Sequence, residues 1–237
     1  MKIEGELVQG KFINRLNRFE AVVEVEGIQE LAHVPNTGRL KELLTEGATV
    51  LLRKYDRTDR KTRFGLILVR KNGIWVSIDS ANVPNRIMYE ALKQGKLEPF
   101  RDFSQICREV TVLSSRFDFG LFSEEKEYYI EVKGVTLVEN RQGFFPDAPT
   151  KRGVRHLEEL TKLKLSGKGT GVVFVVQRED AEVVRPNDRT DMDFGNALRE
   201  AGKAGVDLMA YVCKVDVEQR SIDIVRQIPV VLDSIQS

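Results

Sequence analysis

The sequence predicts a mixed α+β chain: an OB-type β-barrel over residues 1–82, followed by an α/β domain over residues 83–237 whose mixed sheet is flanked by helices. Three observations predict this. The stretch before Ala81 reads as short β-runs interrupted by one short helical segment, the layout of an OB-type barrel. Gly171-Val-Val-Phe-Val-Val176 is apolar throughout, as expected for a strand covered on both faces. Around it, helical and extended patterns alternate, which gives a mixed sheet with helices on its faces. A chain of 237 residues is long enough for two small domains, each with its own core.

The β-runs of the first domain are Gly5–Asn14, Arg18–Glu26, Gln29–His33, Thr49–Tyr55, Phe64–Lys71 and Trp75–Asp79. Between the third and fourth, Pro35-Asn-Thr-Gly38 supplies turn chemistry. A short helix should follow, with Leu40, Leu43 and Leu44 on one side and Gly47 closing it. Ala81-Asn-Val-Pro-Asn85 marks the boundary, with Asn82 placed to cap a helix from Pro84 to Gln94. Ile87, Ala91 and Leu92 form its buried side, and Glu90 lies near the edge of that stripe. A strand over Ile106–Leu113 leads into a hairpin, and a Gly143–Pro149 loop leads to a second helix from Thr150 to Leu165. Val154, Leu157, Leu160 and Thr161 should be buried there. After the apolar strand come a third helix over Asp191–Lys203 and a strand over Val206–Val215.

Composition excludes some classes. Hydrophobic content of 41% with 31% charged residues describes a globular protein, not a disordered one. No apolar run approaches membrane-spanning length, and Met1–Glu6 holds no apolar signal segment, so a cytoplasmic protein without a membrane partner is expected. Cys107 and Cys213 lie far apart without neighbouring ligands and read as reduced structural thiols. No oligomeric state follows from the sequence.

The hairpin carries the chemistry. Ser115-Arg-Phe-Asp118-Phe is followed, across a charged turn at Glu124-Glu125, by Tyr129-Ile-Glu131-Val-Lys133. If the turn centres between Glu124 and Glu125, Asp118 faces Glu131 and Arg116 faces Lys133. Alternation along each strand puts these four on one face, and Phe117, Phe119 and Leu121 against Tyr128, Ile130 and Val132 on a core face. Opposed carboxylates repel. A positive group is expected between them, either a metal or a lysine. The blander alternative is a salt-bridged patch on a solvated sheet face.

Net charge is only +1, but it is unevenly placed. Arg53, Lys54, Arg57, Arg60, Lys61, Arg63, Arg70 and Lys71 stand against Asp56 and Asp59 alone, which reads either as a solvated hairpin or as a footprint for a phosphate backbone.

Pro35-Asn-Thr-Gly38, Asn85-Arg86, Ser115-Arg-Phe-Asp-Phe119, Tyr129-Ile-Glu-Val-Lys-Gly-Val-Thr136 and Phe144-Phe-Pro-Asp-Ala-Pro-Thr150, with Arg152, Gly153, His156, Leu157 and Glu158, resemble the sugar fermentation stimulation protein family. The resemblance spans most of the chain. It implies an OB-type N-terminal domain and a C-terminal domain related to the PD-(D/E)xK nucleases. It also implies DNA binding without sequence preference and a role in regulating sugar (maltose) metabolism. On this resemblance Asp118 is the strand acid, Glu131 the second acid and Lys133 the lysine of the nuclease motif. Asp118 and Glu131 would hold Mg²⁺ or Mn²⁺ through hard oxygens, with Glu90 as a further acid. One departure is Phe117, which stands where such motifs place proline.

The DNA contacts expected are Arg53, Lys54, Arg57, Arg60, Lys61, Arg63, Arg116, Arg152 and His156. Arg152, His156 and Glu159 share a helix face, which suits phosphate contact or support of the site. Thr150 could cap that helix and turn its free N–H groups toward an anion. Gln177 could point into the same cleft or serve as a core amide, and His33 is read as structural or as a barrel-surface contact. Three functions follow: a DNA-binding protein with a metal-dependent phosphodiesterase-type site, a non-catalytic DNA-binding regulator on the same scaffold, or a small-molecule or protein-interaction module.

Overall fold

The computed structural model describes residues 1–55 and 61–233. Six strands come first: β1 (Glu6–Arg15), β2 (Glu20–Val25), β3 (Ile28–His33), β4 (Thr49–Lys54), β5 (Phe64–Lys71) and β6 (Ile74–Ser77). They run in the order β3-β2-β1-β4-β5-β6, and β3 also pairs with β5, which closes the first five into a barrel. Alternating inward residues such as Phe12, Val23, Val50, Leu52 and Leu66 fill it. Asn72 and Gly73 turn β5 into β6 with φ of 49° and 83°, the left-handed pair that a two-residue hairpin of this twist requires.

The helix expected after Pro35 does not form. Leu40, Leu43 and Leu44 are buried as the leucine spacing foretold, but residues 39–47 are a series of turns. The cause is local: Leu40 takes φ of 52°, and its N–H is held by the Asp147 carboxylate instead of entering a helical ladder. Asn82 does not cap the next helix either; Asp79 Oδ1 accepts from the N–H groups of Ala81 and Asn82.

The second half is built on a six-stranded sheet. In chain order the elements are α1 (Val83–Lys93), β7 (Gln105–Val112), β8 (Ser115–Phe122), β9 (Glu127–Val135), β10 (Val138–Glu139), β11 (Gln142–Phe145), α2 (Lys151–Leu165), β12 (Gly169–Val176), β13 (Val183–Pro186), α3 (Met192–Lys203), β14 (Asp207–Asp216) and β15 (Ser221–Ile228). The sheet order is β15-β14-β12-β9-β8-β7; β12 is parallel to both β9 and β14, and the outer pairs are antiparallel. Val173 and Val175 pack on the α1 side, while Val172, Phe174 and Val176 pack with α2 and α3. The all-apolar strand is therefore covered on both faces, as its sequence required.

Four strands, β10, β11, β13 and β15, lie outside the sequence reading. β11 was expected as loop, and it joins β10 and β13 in a small sheet through a parallel pairing with β13. β15 is half-polar, with Ile222 and Ile228 its only fully buried apolar residues. The buried stripe of α2 is also displaced from expectation, because it includes His156 and Glu159 while Val154 and Thr161 are only partly covered. No helix among the described residues is long and apolar enough to cross a membrane.

Besides a core of its own in each half, the two halves share a third. Ile3, Leu51, Ile67 and Leu68 from the barrel side pack in one cluster with Ile87 and Met88 of α1 and with Ile130 and Val132 of β9. Each such fully buried side chain contributes roughly 1.5–3 kcal/mol. This shared cluster fixes the barrel against the sheet and so fixes the cleft between them.

Candidate metal and nucleic-acid site

The hairpin register is the one that the charged turn implied: Phe119 pairs with Ile130, Gly120 with Tyr129 and Phe122 with Glu127. One step beyond Phe119, the ladder opens. Asp118 Oδ2 accepts the Val132 N–H at 2.8 Å, and Asp118 Oδ1 accepts from Asn85 Nδ2 at 2.6 Å. On the far strand, Glu109 takes φ of 54° between the pairs Arg108–Phe119 and Val110–Phe117.

The side-chain alternation breaks at the same place. Phe119 stacks on Tyr89 of α1, whereas Phe117 turns to the other core and packs on Tyr129 and His156. The expected core face therefore holds without Phe117. The face carrying Glu131 and Lys133 is not solvated, because α2 covers it. Arg116 leaves the cluster altogether and lies exposed beside Glu109, since the β8–β9 ladder ends before reaching it.

Glu131 is only 4% exposed. Its Oε1 accepts from Lys133 Nζ at 2.6 Å, and His156 Nδ1 lies 2.6 Å from the same oxygen. That imidazole contact is close but poorly aligned for a hydrogen bond. Arg152 Nε donates to His156 Nε2, so in the neutral ring the proton sits on Nδ1, facing Glu131. The positive group expected between the two acids is, in this structure, a lysine bound to one of them. Glu131 Oε2 is buried without a hydrogen-bond partner.

The two carboxyls are pushed in opposite directions. Burial raises Asp118 above the usual carboxylate range and the Glu131 charge adds to it, outweighing the Val132 N–H, Lys133 and Asn85. Burial also works to raise Glu131, but Lys133 and His156 outweigh it and hold that carboxyl low. Because the folded state retains the Asp118 proton above 3.8, stability falls as pH rises from that value through the raised pKa. Asp118→Asn is therefore expected to be neutral or mildly stabilising at pH 7 and to flatten this fall, measured as urea midpoints across pH 3–8.

These groups floor a cleft of about 460 Å³. The barrel contributes Asn36–Gly38, α1 contributes Pro84 and Asn85, and the Phe144–Thr150 segment and Arg152 form the opposite wall. Thr150 caps α2, its Oγ1 accepting from Gly153 N–H. The barrel loop is held by Arg15, whose five donors all go to backbone carbonyls: Nε to Asn17, Nη1 to Gly38 and Arg39, and Nη2 to Arg18 and Asn36. A methyl group on Gly38 would sit 2.6 Å from Asp147 Oδ2, so only glycine lets the loop approach this closely. Arg15→Met is expected to lower the unfolding free energy by about 2 kcal/mol and to speed amide exchange at residues 36–39.

Glu90 does not join the acids. It faces the N-terminal ammonium at 3.1 Å and Arg86, on another part of α1. His156 is 1% exposed, so it backs Glu131 and does not present itself to a phosphate. Gln177 is a core amide that donates to Ser77 O and ties β12 to the barrel. Of the basic segment, Lys54, Lys61 and Arg63 are ion-paired with Glu6, Glu20 and Glu30, and Arg53 is half-buried. Arg57 and Arg60 lie outside the described residues. None of the described cations of that segment lines the cleft; Arg152 does. His33 lines a shallow groove on the barrel with Arg18, Phe19 and Lys61.

Sequence reasoning missed three contributors. Asn85 is a neutral amide, and the acid that the sequence offers on the same helix is Glu90. Asn36 and Arg15 act through backbone carbonyls and carry no motif signal beyond the Asn-Thr-Gly turn they organise.

Residues 13–78 match the family described as SfsA N-terminal OB domain, and residues 82–219 match the family described as Sugar fermentation stimulation protein RE domain. A sugar fermentation stimulation protein homolog of Acetivibrio thermocellus is 79% identical over 232 residues, covering 98% of this chain and 100% of the relative. A homolog of the same description from Clostridium acetobutylicum is 45% identical over 233 residues, with the same coverage. Among solved structures, that of Pyrococcus furiosus SfsA in complex with Ca²⁺ aligns with a TM-score of 0.87 at 27% identity, covering 98% of this chain and 99% of the other. With both halves matched in order and nearly the full length shared, the chain belongs to the sugar fermentation stimulation protein family.

Proposed function

We propose that this protein binds DNA without sequence preference and that its cleft is a divalent-cation site of phosphodiesterase type. The observation that carries the reading is the convergence of Asp118, Glu131 and Lys133 on the floor of one cleft, with Glu131 Oε2 buried and unpartnered. Among the described residues no group of three His, Cys, Asp or Glu is arranged to hold a metal ion. Two carboxylates suit Mg²⁺ or Mn²⁺, which keep several waters and bind through one or two carboxylates. The related SfsA structure holding Ca²⁺, another hard cation, supports the same choice. When bound, such an ion would supply Lewis-acid polarisation of a phosphate oxygen.

The chain's own groups divide the remaining work. Asn85 and the Val132 N–H orient Asp118, and Lys133 and His156 orient Glu131. Lys133 also brings a positive charge to the cleft floor, where charge develops on a reacting phosphate. Arg152, at the start of α2, adds a phosphate donor at the wall. On the barrel, exposed Phe19 beside Arg18 and Lys61 offers stacking and charge to a strand.

The experiment is incubation with single- and double-stranded DNA in Mg²⁺ or Mn²⁺, beside Asp118→Ala. Metal-dependent cleavage lost in the variant supports the reading. Equal product from both proteins would remove the enzymatic part. Binding that does not weaken with salt would remove the DNA part.

A further inference from the structure

A second cavity, of about 540 Å³, lies on the other side of the Phe144–Asp147 segment, which it shares with the cleft. It is walled by the barrel loop, by β10 and β11, and by the turn leading into α3. Its chemistry is divided. Leu137, Phe144, Pro186 and Met192 supply apolar surface, and Met192 is 54% exposed. Arg39, Lys41 and Arg189 stand exposed around it, and none is ion-paired with a described residue. Its acids are differently placed. Glu139 stands exposed at the rim, Asp147 is engaged by the Leu40 N–H and Asp188 by Arg199, but Glu42 keeps one carboxylate oxygen buried without a partner among the described residues.

An apolar floor with an aromatic ring, an acceptor within it and a rim of three cations beside one exposed acid, Glu139, match one ligand class. The flat face of a nucleobase would lie on Phe144 and Met192, its N–H groups would meet Glu42, and a phosphate would meet Arg39, Lys41 and Arg189. The volume falls in the range of small-ligand sites. We propose that this cavity binds a nucleoside phosphate, either a free nucleotide or a nucleotide splayed from a strand that continues into the adjacent cleft. Only the second source rests on the DNA reading above.

The test uses the full chain and two surface variants, Arg39→Glu/Lys41→Glu for the rim and Met192→Glu for the floor. Calorimetric titration with dAMP, with inorganic phosphate as control, addresses the free ligand. For the strand source, oligonucleotide affinity is compared with that of an abasic phosphodiester strand of equal length. Tighter binding of dAMP than of phosphate, weakened about ten-fold or more in both variants, supports a free nucleotide. If dAMP does not bind but the preference for the base-bearing strand disappears in both variants, the strand is the source. The proposal is overturned if phosphate binds as tightly as dAMP, or if dAMP fails and the variants retain the strand preference. It is also overturned if neither dAMP nor a strand binds. Binding of dAMP without any strand binding would overturn the DNA reading and leave this pocket standing.

Discussion

Glu131→Ala is expected to lower the unfolding free energy by about 3 kcal/mol and to abolish divalent-cation binding. The first effect follows from burial. Glu131 is the counter-charge of Lys133, whose side chain is itself only 12% exposed, and its removal leaves that buried ammonium without its ion-pair partner. His156 loses its neighbour at the same time. The second effect follows from the loss of one of two carboxylates. Glu131→Gln keeps the shape and a hydrogen-bond acceptor for Lys133, so it should recover part of the stability and none of the metal binding. Urea unfolding and Mn²⁺ titration of the two variants separate these contributions. Wild-type stability and Mn²⁺ affinity in Glu131→Ala would remove Glu131 from both roles.

Gly134→Ala is expected to disturb the site without changing any ligand. A methyl group there would lie 2.7 Å from Pro84 Cγ and 3.4 Å from Gln177 Oε1. Pro84 lies in the first turn of α1, and the residue after it, Asn85, holds Asp118. Relief of the clash must push the start of α1 away from β9, at an overpacking cost of about 2 kcal/mol. The Asn85–Asp118 hydrogen bond would lengthen with it. The expected result is a lower urea midpoint together with weaker Mn²⁺ binding. Unchanged values of both would show that the helix start is free to yield and does not position Asp118.

What could be read from the sequence followed short-range rules. The charged turn at Glu124-Glu125 fixed the hairpin register, and the unbroken run Gly171–Val176 announced a strand buried on both faces. The failures came from contacts far apart in the chain. Leucine spacing predicted a helix after Gly38, but Asp147, more than a hundred residues later, takes the Leu40 N–H and holds the turn. Phe117 leaves the alternation because the Asp118 carboxylate, not a backbone carbonyl, meets Val132. Position 90 was chosen on α1 for its acid. Five residues of helix rotate by about 140° from position 85, so Asn85 and Glu90 address different surroundings. Glu90 meets the N-terminal ammonium, and the neutral amide meets Asp118. The lowering of Glu131 comes first from Lys133, within the hairpin, and then from His156, which α2 brings against Glu131 from outside it.

In the proposed function a divalent ion is held by the hairpin acids. Anomalous diffraction from crystals soaked in Mn²⁺ tests this most directly. The account predicts a single strong peak in the cleft within coordination distance of both Asp118 and Glu131, absent from crystals of Asp118→Ala. A soaked crystal with no peak at these two carboxylates, or with its peak at Glu90 instead, would contradict it.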